Sequence, residues 1–291
     1  MSKKILILGN SGYVGSVLIP ALSRYGGFEI HGQDAMWFGS INSSSDVPEK
    51  YLVSQRFGDI RDITIHDLSN YNAIVILSAV SNDPMGNTFE SVTNDINYNA
   101  TLRVAKLAKD AGVERVVFAS SCSVYGLSDD QPRKESDQLN PLTAYAKSKI
   151  QVEEGLNDLS SKDFSAICLR FATAGGISPR LRLDLVLNDF VASAVLRGFI
   201  EILSDGSPWR PIIHTEDMAR AIIWAINEKK EMTGNFLSVN VGSEDWTFTI
   251  KELADTVSNV LGNIEVRVDP NGLPDPRSYK VDFSLFKKLA P

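Results

Sequence analysis

The sequence predicts a doubly wound α/β fold, a parallel sheet with helices on both faces, joined to a smaller C-terminal lobe that is partly interleaved with it. Three observations predict this fold. Short apolar runs alternate with amphipathic helical stretches over residues 1–172, a glycine-rich loop follows the first apolar run, and the pattern then loosens into turns. A chain of 291 residues is long enough for both parts.

The elements of the first part follow in order along the chain. Apolar runs that predict strands buried on both faces are residues 4–8, 29–33, 73–78, 116–120 and 166–171. Apolar residues recur at helical spacing between them, in residues 11–24, 92–111 and 144–156. The dipeptide Asn140-Pro141 marks the boundary before the last of these helices.

The glycine-rich loop is Gly9-Asn10-Ser11-Gly12-Tyr13-Val14-Gly15. A strand before the loop and a helix after it are the context that a dinucleotide-binding loop requires. Gly9 allows a tight turn, Gly12 lets the backbone approach a pyrophosphate, and Gly15 allows close helix packing. We therefore expect a Rossmann-like domain in which Gly9, Gly12, Tyr13, Val14 and Gly15 bind the cofactor.

The choice of cofactor depends on Asp34, which follows the second predicted strand roughly twenty residues beyond the glycines. Its carboxylate is expected to accept the hydroxyls of the adenosine ribose. The same charge repels a 2′-phosphate, and the next residues, Ala35, Met36 and Trp37, include no arginine to receive one. The sequence therefore predicts NAD rather than NADP.

Tyr145 and Lys149 lie one helical turn apart on a predicted helix. An ammonium on the same helix face stabilises a phenolate, which makes Tyr145 a candidate acid and base. This spacing also arises on exposed helices without any function. However, the hydroxyl cluster Ser120-Ser121-Cys122-Ser123 ends the fourth predicted strand, at the carboxyl edge of the sheet. Ser121, Tyr145 and Lys149 are therefore the expected catalytic residues for hydride chemistry.

At these residues the chain resembles the extended short-chain dehydrogenase/reductases, the nucleotide-sugar epimerase and dehydratase family. The resemblance covers nearly the whole length and rests on four motifs in the family's order. They are the glycine loop, Ser-Ser-x-x-Val-Tyr-Gly at residues 120–126, Tyr-x-x-x-Lys at residues 145–149, and Arg210-Pro211-Ile212-Ile213-His214-Thr215-Glu216-Asp217.

The resemblance also implies further cofactor contacts and a domain division. It implies that residues 211–227 and 235–241 return to the nucleotide-binding domain, and that residues 173–291 mainly form a substrate-binding lobe. The additional positions that it places beside the cofactor are Asp59, Ile60, Ser78, Ala79, Val80 and Asn97. Taken singly, Asn97 is also compatible with a polar helix residue and Asp59 with a turn former.

For the substrate, the resemblance implies a nucleotide-diphosphate sugar. Arg210 matches a family arginine that grips the diphosphate, and a guanidinium suits bidentate phosphate contact. A surface ion pair is the alternative. Arg180, Arg182 and Asn188 lie where relatives bind the nucleotide, although they equally fit a solvated helix start. Ser123 and Thr173 are the expected sugar contacts, and Thr173 replaces an asparagine found in many epimerases of the family.

The expected reaction is epimerisation at C4 through a 4-keto intermediate, with Tyr145 removing the hydroxyl proton. Dehydratases of the family carry Asp-Glu directly after the catalytic hydroxyl, whereas this chain has Cys122-Ser123, so dehydration is disfavoured. A nucleotide-sugar 4-dehydrogenase or 4-keto reductase with an exchangeable cofactor is the alternative. A non-catalytic NAD-sensing protein is a third reading.

Composition excludes other classes of function. The formal net charge is −7 and the basic residues are scattered, which argues against nucleic acid or an anionic membrane as partner. The first apolar run is too short for a signal peptide or membrane span, so a cytoplasmic location is expected. Cys122 and Cys168 are expected to be buried thiols, and the three histidines lack metal-ligand spacing. The resemblance implies a homodimer that packs through residues 92–111 and 144–156.

Overall fold

Seven parallel strands form the central sheet of the computed structural model, which describes residues 2–38, 42–81, 83–127, 131–273, 275 and 277–290. Numbered along the chain, they are β1 (Lys3–Leu8), β2 (Phe28–Asp34), β3 (Ser54–Phe57), β4 (Ala73–Ile76), β5 (Arg115–Ser121), β6 (Ser165–Phe171) and β10 (Phe236–Val241). Their order across the sheet is β3-β2-β1-β4-β5-β6-β10, so the order reverses between β1 and β4 and opens a crevice at the carboxyl ends of these strands.

The predicted fold class is confirmed, and the central strands lie where the continuous apolar runs indicated. All four residues of β4 and all seven of β6 are buried, as expected for strands covered by helices on both faces. The strand β3 has no counterpart among the predicted runs. It is an edge strand with the sequence Ser54-Gln55-Arg56-Phe57 and is mostly exposed, so it carries no apolar signal.

Two helical predictions differ from the structure. The first helix begins at Gly15 rather than at residue 11, because Gly12 N–H donates to Gly9 O and residues 9–14 form a turn instead of a helix. The stretch 92–111 contains a π-helical turn, Asp95–Ala100, between two α-helices. Helices of the first part are α1 (Gly15–Tyr25), α2 (Asp83–Thr88), α3 (Glu90–Asn94), α4 (Thr101–Asp110) and α5 (Ala144–Leu159).

The C-terminal lobe is built around two small sheets and its own apolar cluster, which includes Phe190, Ile200 and Leu253. The strands β7 (Thr173–Gly175), β9 (Trp209–His214) and β11 (Thr247–Thr249) form one sheet, and β8 (Phe199–Ile202) pairs with β12 (Glu265–Val268) in the other. The helices that follow residue 172 along the chain, in either part of the fold, are α6 (Val186–Arg197), α7 (Thr215–Asn227), α8 (Lys230–Thr233), α9 (Ile250–Val260) and α10 (Ser284–Leu289).

The two parts of the fold interleave. The helix α7 packs against α1 over the main sheet, and β10 pairs with β6 in that sheet. The strand β9, which begins the predicted return, instead lies in the small sheet beside β7. The pairing of β10 with β6 means that a strand from the last quarter of the chain covers the edge of β6 that β5 leaves open.

Both cysteines are buried free thiols, as predicted, and burial raises the pKa of Cys122 and Cys168. Cys122 Sγ donates to the carbonyl oxygen of Arg170 and therefore belongs to the core. Within the part of the chain that the structure describes, no helix is both long enough and apolar enough to cross a membrane.

Candidate functional site

The loop between β1 and α1 requires glycine at two positions. Gly9 has a φ of +87°, and a Cβ on it would lie 2.7 Å from the backbone nitrogen of Ser78. A Cβ on Gly15 would lie 2.4 Å from the carbonyl oxygen of Asn10. Close backbone contacts therefore seat the loop between the ends of β1 and β4, at the point where the strand order reverses.

Gly12 differs from Gly9 and Gly15, because the surrounding residues leave space for a Cβ at its position. A Cβ on Gly12 would meet only the carbonyl oxygen of Gly9, at 3.4 Å. This open cradle lies just before the N-terminus of α1, where backbone N–H groups and the helix dipole favour a phosphate. The residues present thus fit the pyrophosphate of NAD.

Asp34 ends β2 beside the glycine loop, as a ribose-binding acid must. Its carboxylate accepts hydrogen bonds from the backbone N–H groups of Ser11, at 3.1 Å, and Met36, at 2.7 Å. Burial raises the pKa of Asp34, and the charge of Glu49 contributes in the same direction, while Arg180 opposes it. Glu49 and Arg180 therefore belong to the surroundings of Asp34, although the sequence did not indicate Glu49 at all.

The remaining predicted cofactor residues lie on the loops after β3 and β4 and on the π-helical turn Asp95–Ala100. Asp59 caps the turn Ile60–Asp62 and pairs with Arg61 at 2.9 Å, and Ile60 is buried in the core. Asn97, on the π-helical turn, accepts a hydrogen bond from Val80 N at 2.8 Å and donates one to Val80 O at 2.9 Å. Asn97 therefore fixes the loop that carries Ser78, Ala79 and Val80.

The helix α5 carries the Tyr145–Lys149 pair. Thr143 caps this helix by accepting a hydrogen bond from Ala146 N, and the helix packs against β5 and the turn Cys122–Tyr125. Lys149 is only 3% exposed, lies 5.1 Å from the centre of the Tyr145 ring, and donates to the carbonyl oxygen of Ala119 at 2.7 Å. Burial lowers the pKa of Lys149 to about 7, while the charge of Glu153 opposes this shift.

Ser121 lies at the carboxyl end of β5, and its Oγ accepts a hydrogen bond from Ser123 N at 3.2 Å. Ser123 Oγ is buried and has no hydrogen-bond partner among the residues that the structure describes. The fold thus brings the predicted serine and the Tyr145–Lys149 helix to one edge of the sheet.

A buried ionic network behind this helix was not anticipated. Glu153, one turn after Lys149, binds the Arg170 guanidinium at 2.7 Å and also accepts hydrogen bonds from Ser120 and Ser238. Arg170 lies on β6 and Ser238 on β10, so only the folded sheet brings these partners together. The network fixes α5 to three strands.

Residues 176–184, which we term the crossing segment, run from the C-terminal lobe over the cofactor loops. Tyr13 Oη donates to Gly176 O at 2.7 Å, and Ser16 Oγ shares a hydrogen bond with Ser178 Oγ at 2.9 Å. Arg182 donates to Ser81 Oγ at 2.8 Å, beyond the end of β4. The crossing segment therefore spans the crevice that the strand order opens.

Asn188 and Arg180 also lie beside the cofactor loops, where the crossing segment passes over them. Asn188 donates to Tyr13 Oη at 3.0 Å and accepts from Gly176 N at 2.9 Å. Arg180 pairs with Glu49 at 3.1 Å. The side chains of Arg180 and Asn188 thus contact the cofactor half of the crevice, and their predicted role at the substrate remains a prediction.

Arg210 lies in a separate polar cluster of the C-terminal lobe. It pairs with Asp275 at 3.1 Å, and its guanidinium lies 5.5 Å from the centre of the Tyr279 ring. Arg277 pairs with the same carboxylate at 2.6 Å, and Thr173 hydrogen-bonds Tyr279. Two guanidinium groups around one acid suit a diphosphate. The sequence contains no spacing signal for Arg277 or Tyr279, because they lie 67 and 69 positions after Arg210 along the chain.

Comparison with known proteins supports the resemblance. The family model described as the NAD dependent epimerase/dehydratase family matches residues 5–242. The chain is 27% identical over 278 residues to a UDP-glucose 4-epimerase of Rhizobium meliloti (strain 1021), covering 89% of this chain and 82% of the relative. It is 28% identical over 299 residues to UDP-glucuronic acid decarboxylase 3 of Arabidopsis thaliana, covering 98% and 83%.

Solved structures share the whole architecture. MoeE5 in complex with UDP-glucuronic acid and NAD matches with a TM-score of 0.83 and 25% identity, over 98% of this chain and 92% of the other. The UDP-N-acetylglucosamine 4-epimerase of Methanobrevibacter ruminantium M1 matches with a TM-score of 0.83 and 23% identity, over 100% and 92%. The latter likeness concerns the fold.

Proposed function

The chain belongs to the NAD-dependent epimerase/dehydratase family, and we propose that it is a nucleotide-sugar epimerase that acts at C4. One observation carries the proposal. Lys149 is buried beside the Tyr145 ring, on the helix that packs against the end of β5, where Ser121 lies. A chain that only bound a dinucleotide would have no chemical need for this arrangement. Relatives described as UDP-glucose 4-epimerases support the substrate class.

The proposed chemistry assigns one task to each side chain. Tyr145 takes the proton of the C4 hydroxyl and returns it to the same oxygen once the keto sugar has rotated and presents its opposite face. Ser121 donates a hydrogen bond to the reacting oxygen. Lys149 has three N–H donors, of which one is bound to Ala119 O, so its ammonium can also hold the Tyr145 phenolate and a ribose hydroxyl. The chemistry that bound NAD supplies is reversible hydride transfer with the sugar carbon.

The cofactor has a fitting site on this chain. Gly9, Gly12 and Gly15 would hold the pyrophosphate at the start of α1, and Asp34 would hold the adenosine ribose. In this proposal, Arg210 and Arg277 hold the diphosphate of the sugar nucleotide.

The residue after the catalytic serine supports epimerisation over dehydration. Cys122 is fully buried, burial raises its pKa, and its Sγ donates to Arg170 O. It therefore offers no acid or base to the sugar. Removal of water from the carbons beyond the keto group needs such a group, whereas epimerisation needs no acid or base besides Tyr145, because the keto sugar only has to rotate in the site.

The test is interconversion of C4 epimers by the purified protein. UDP-glucose, UDP-galactose and their N-acetyl and glucuronic acid counterparts are incubated with it separately, and products are separated by chromatography. Formation of the C4 epimer without net consumption of NAD supports the proposal. Stoichiometric reduction of added NAD would indicate a dehydrogenase instead, and no conversion of any of these sugars would refute the proposed substrate class.

The proposal also covers the roles of the two parts of the chain, the oligomeric state and the cellular compartment. In this proposal residues 1–172, with returns near residues 211–241, bind the cofactor, and residues 173–291 mainly bind the substrate. The separate apolar cluster around Phe190, Ile200 and Leu253 supports a distinct lobe. The family resemblance implies a homodimer that packs through residues 92–111 and 144–156, and light scattering tests it by a mass near twice the 31.9 kDa of the chain. Two buried free thiols are compatible with the reducing cytoplasm.

A further inference from the structure

Two buried polar atoms beside Asp34 lack hydrogen-bond partners among the described residues. They are Glu49 Oε2 and Arg180 Nε, which belong to one ion pair. Arg180 is 6% exposed, and the Glu49 side chain is 17% exposed. Unsatisfied buried polar atoms are costly, so two of them in one ion pair indicate a polar ligand.

Ser11 connects the two acids of this region. Its backbone N–H donates to Asp34 at 3.1 Å, and its Oγ donates to Glu49 Oε1 at 2.8 Å. Ser11 belongs to the glycine loop, so Glu49 is attached to the same loop as the ribose-binding acid. Glu49 comes from the short turn Pro48–Tyr51, which packs against α1.

Arg180 brings a positive charge to this pair of acids. It donates to Glu49 Oε1 at 3.1 Å and to Asn42 Oδ1 at 3.3 Å. The hydrogen bond from Ser43 N to Pro179 O, at 2.8 Å, fixes the crossing segment beside it. Arginine beside an adenosine ribose is the usual receptor for the 2′-phosphate of NADP. A buried arginine here opposes the NAD preference that Asp34 alone suggests.

We infer that Glu49 is a cofactor-specificity residue, which shares the adenosine ribose hydroxyls with Asp34 and occupies Arg180 so that this arginine cannot receive a 2′-phosphate. This inference rests on the proposed use of NAD. With Glu49 present, two acids face one guanidinium and the site carries a net negative charge. The free carboxylate oxygen Oε2 is then available to accept a ribose hydroxyl.

The test measures binding of NAD and NADP to the purified chain by calorimetry, without any sugar. Glu49→Gln keeps the shape of the side chain and removes its charge. A hydrogen bond to a charged group contributes roughly tenfold to a hundredfold in affinity, so NAD should bind about tenfold more weakly. NADP should bind at least about tenfold more tightly, because Arg180 is released. The double variant Glu49→Gln, Arg180→Met should lose this gain.

Asp46→Asn is the matched control, since Asp46 is an exposed acid of the same segment that pairs with Lys50 at 2.5 Å. Its NAD and NADP affinities should equal those of the wild type. The single variant Arg180→Met removes the other member of the Glu49–Arg180 ion pair and should not strengthen NADP binding. Unchanged NAD and NADP affinities in Glu49→Gln would overturn the inference, as would tighter NADP binding in Arg180→Met. Failure of sugar conversion by a protein that shows these affinities would refute only the proposed function.

Discussion

Replacing Lys149 by methionine should stabilise the folded protein, and more so at low pH than at high pH. Lys149 is almost fully buried, and burial lowers its pKa from 10.5 to about 7. Between these values the unfolded chain binds more protons than the folded one, so the free energy of unfolding rises with pH there. The charged lysine thus destabilises the fold, and the cost is largest below pH 7.

The size of the effect follows from the two pKa values. At about 1.4 kcal/mol per unit of pKa, burying the charged lysine costs about 5 kcal/mol well below pH 7 and about 2 kcal/mol at pH 9. The stability gain of Lys149→Met over the wild type should therefore shrink by roughly 2–3 kcal/mol between about pH 6 and pH 9. Loss of the hydrogen bond to Ala119 O lowers the gain by an amount that does not depend on pH.

The assay is urea unfolding followed by circular dichroism at both pH values. Lys147→Met on the same helix is the control, because Lys147 is exposed and its replacement should have the same small effect at both pH values. A difference between Lys149→Met and wild type that stays constant with pH, or grows toward high pH, would refute the reasoning. Turnover should be lost in Lys149→Met, which would show stability given up for function.

Three further predictions concern single side chains. Tyr145→Phe should lower kcat by roughly 10²–10⁴-fold while leaving the Kd for NAD unchanged, since it removes only the acid and base; unimpaired turnover would exclude Tyr145 from the chemistry. Gly12→Ala should fold with wild-type stability but bind NAD weakly. Gly15→Ala should unfold at a lower urea concentration, because its Cβ would lie 2.4 Å from Asn10 O. Equal stability of the two variants would contradict the conclusion that a side chain fits at residue 12 but not at residue 15. Glu153→Gln should cost about 3–5 kcal/mol of unfolding free energy, because it leaves the Arg170 guanidinium buried without its carboxylate. For this variant the control is the exposed neighbour Glu154→Gln, and a loss below about 1 kcal/mol would show that the pair contributes little.

The sequence predicted the features that depend on local pattern. The run that became β4 is apolar throughout, and those that became β1 and β6 are mainly apolar, because helices cover both faces of the sheet. The position of Asp34 at the end of β2 could be predicted, because its distance from the glycine loop is set by one strand–helix–strand unit.

What the sequence did not reveal depends on contacts between distant segments. Glu49 meets Arg180 across 131 positions, and Arg210 meets Asp275 across 65. No spacing rule encodes such pairs, since crossing loops bring them together. The exposed edge strand β3 was missed for the opposite reason, because solvent imposes no apolar pattern on it.

Because β10 pairs with β6 but is synthesised much later, β6 lacks a partner on one side while the chain is incomplete. Until residues 236–241 leave the ribosome, β6 is an edge strand, and its backbone groups on that side are open to any other strand. Its sequence Ser-Ala-Ile-Cys-Leu-Arg-Phe is wholly buried in the finished protein. The nascent chain is thus most prone to aggregation while residues 172–235 are being added, and a fragment that ends at residue 172 keeps this weakness permanently.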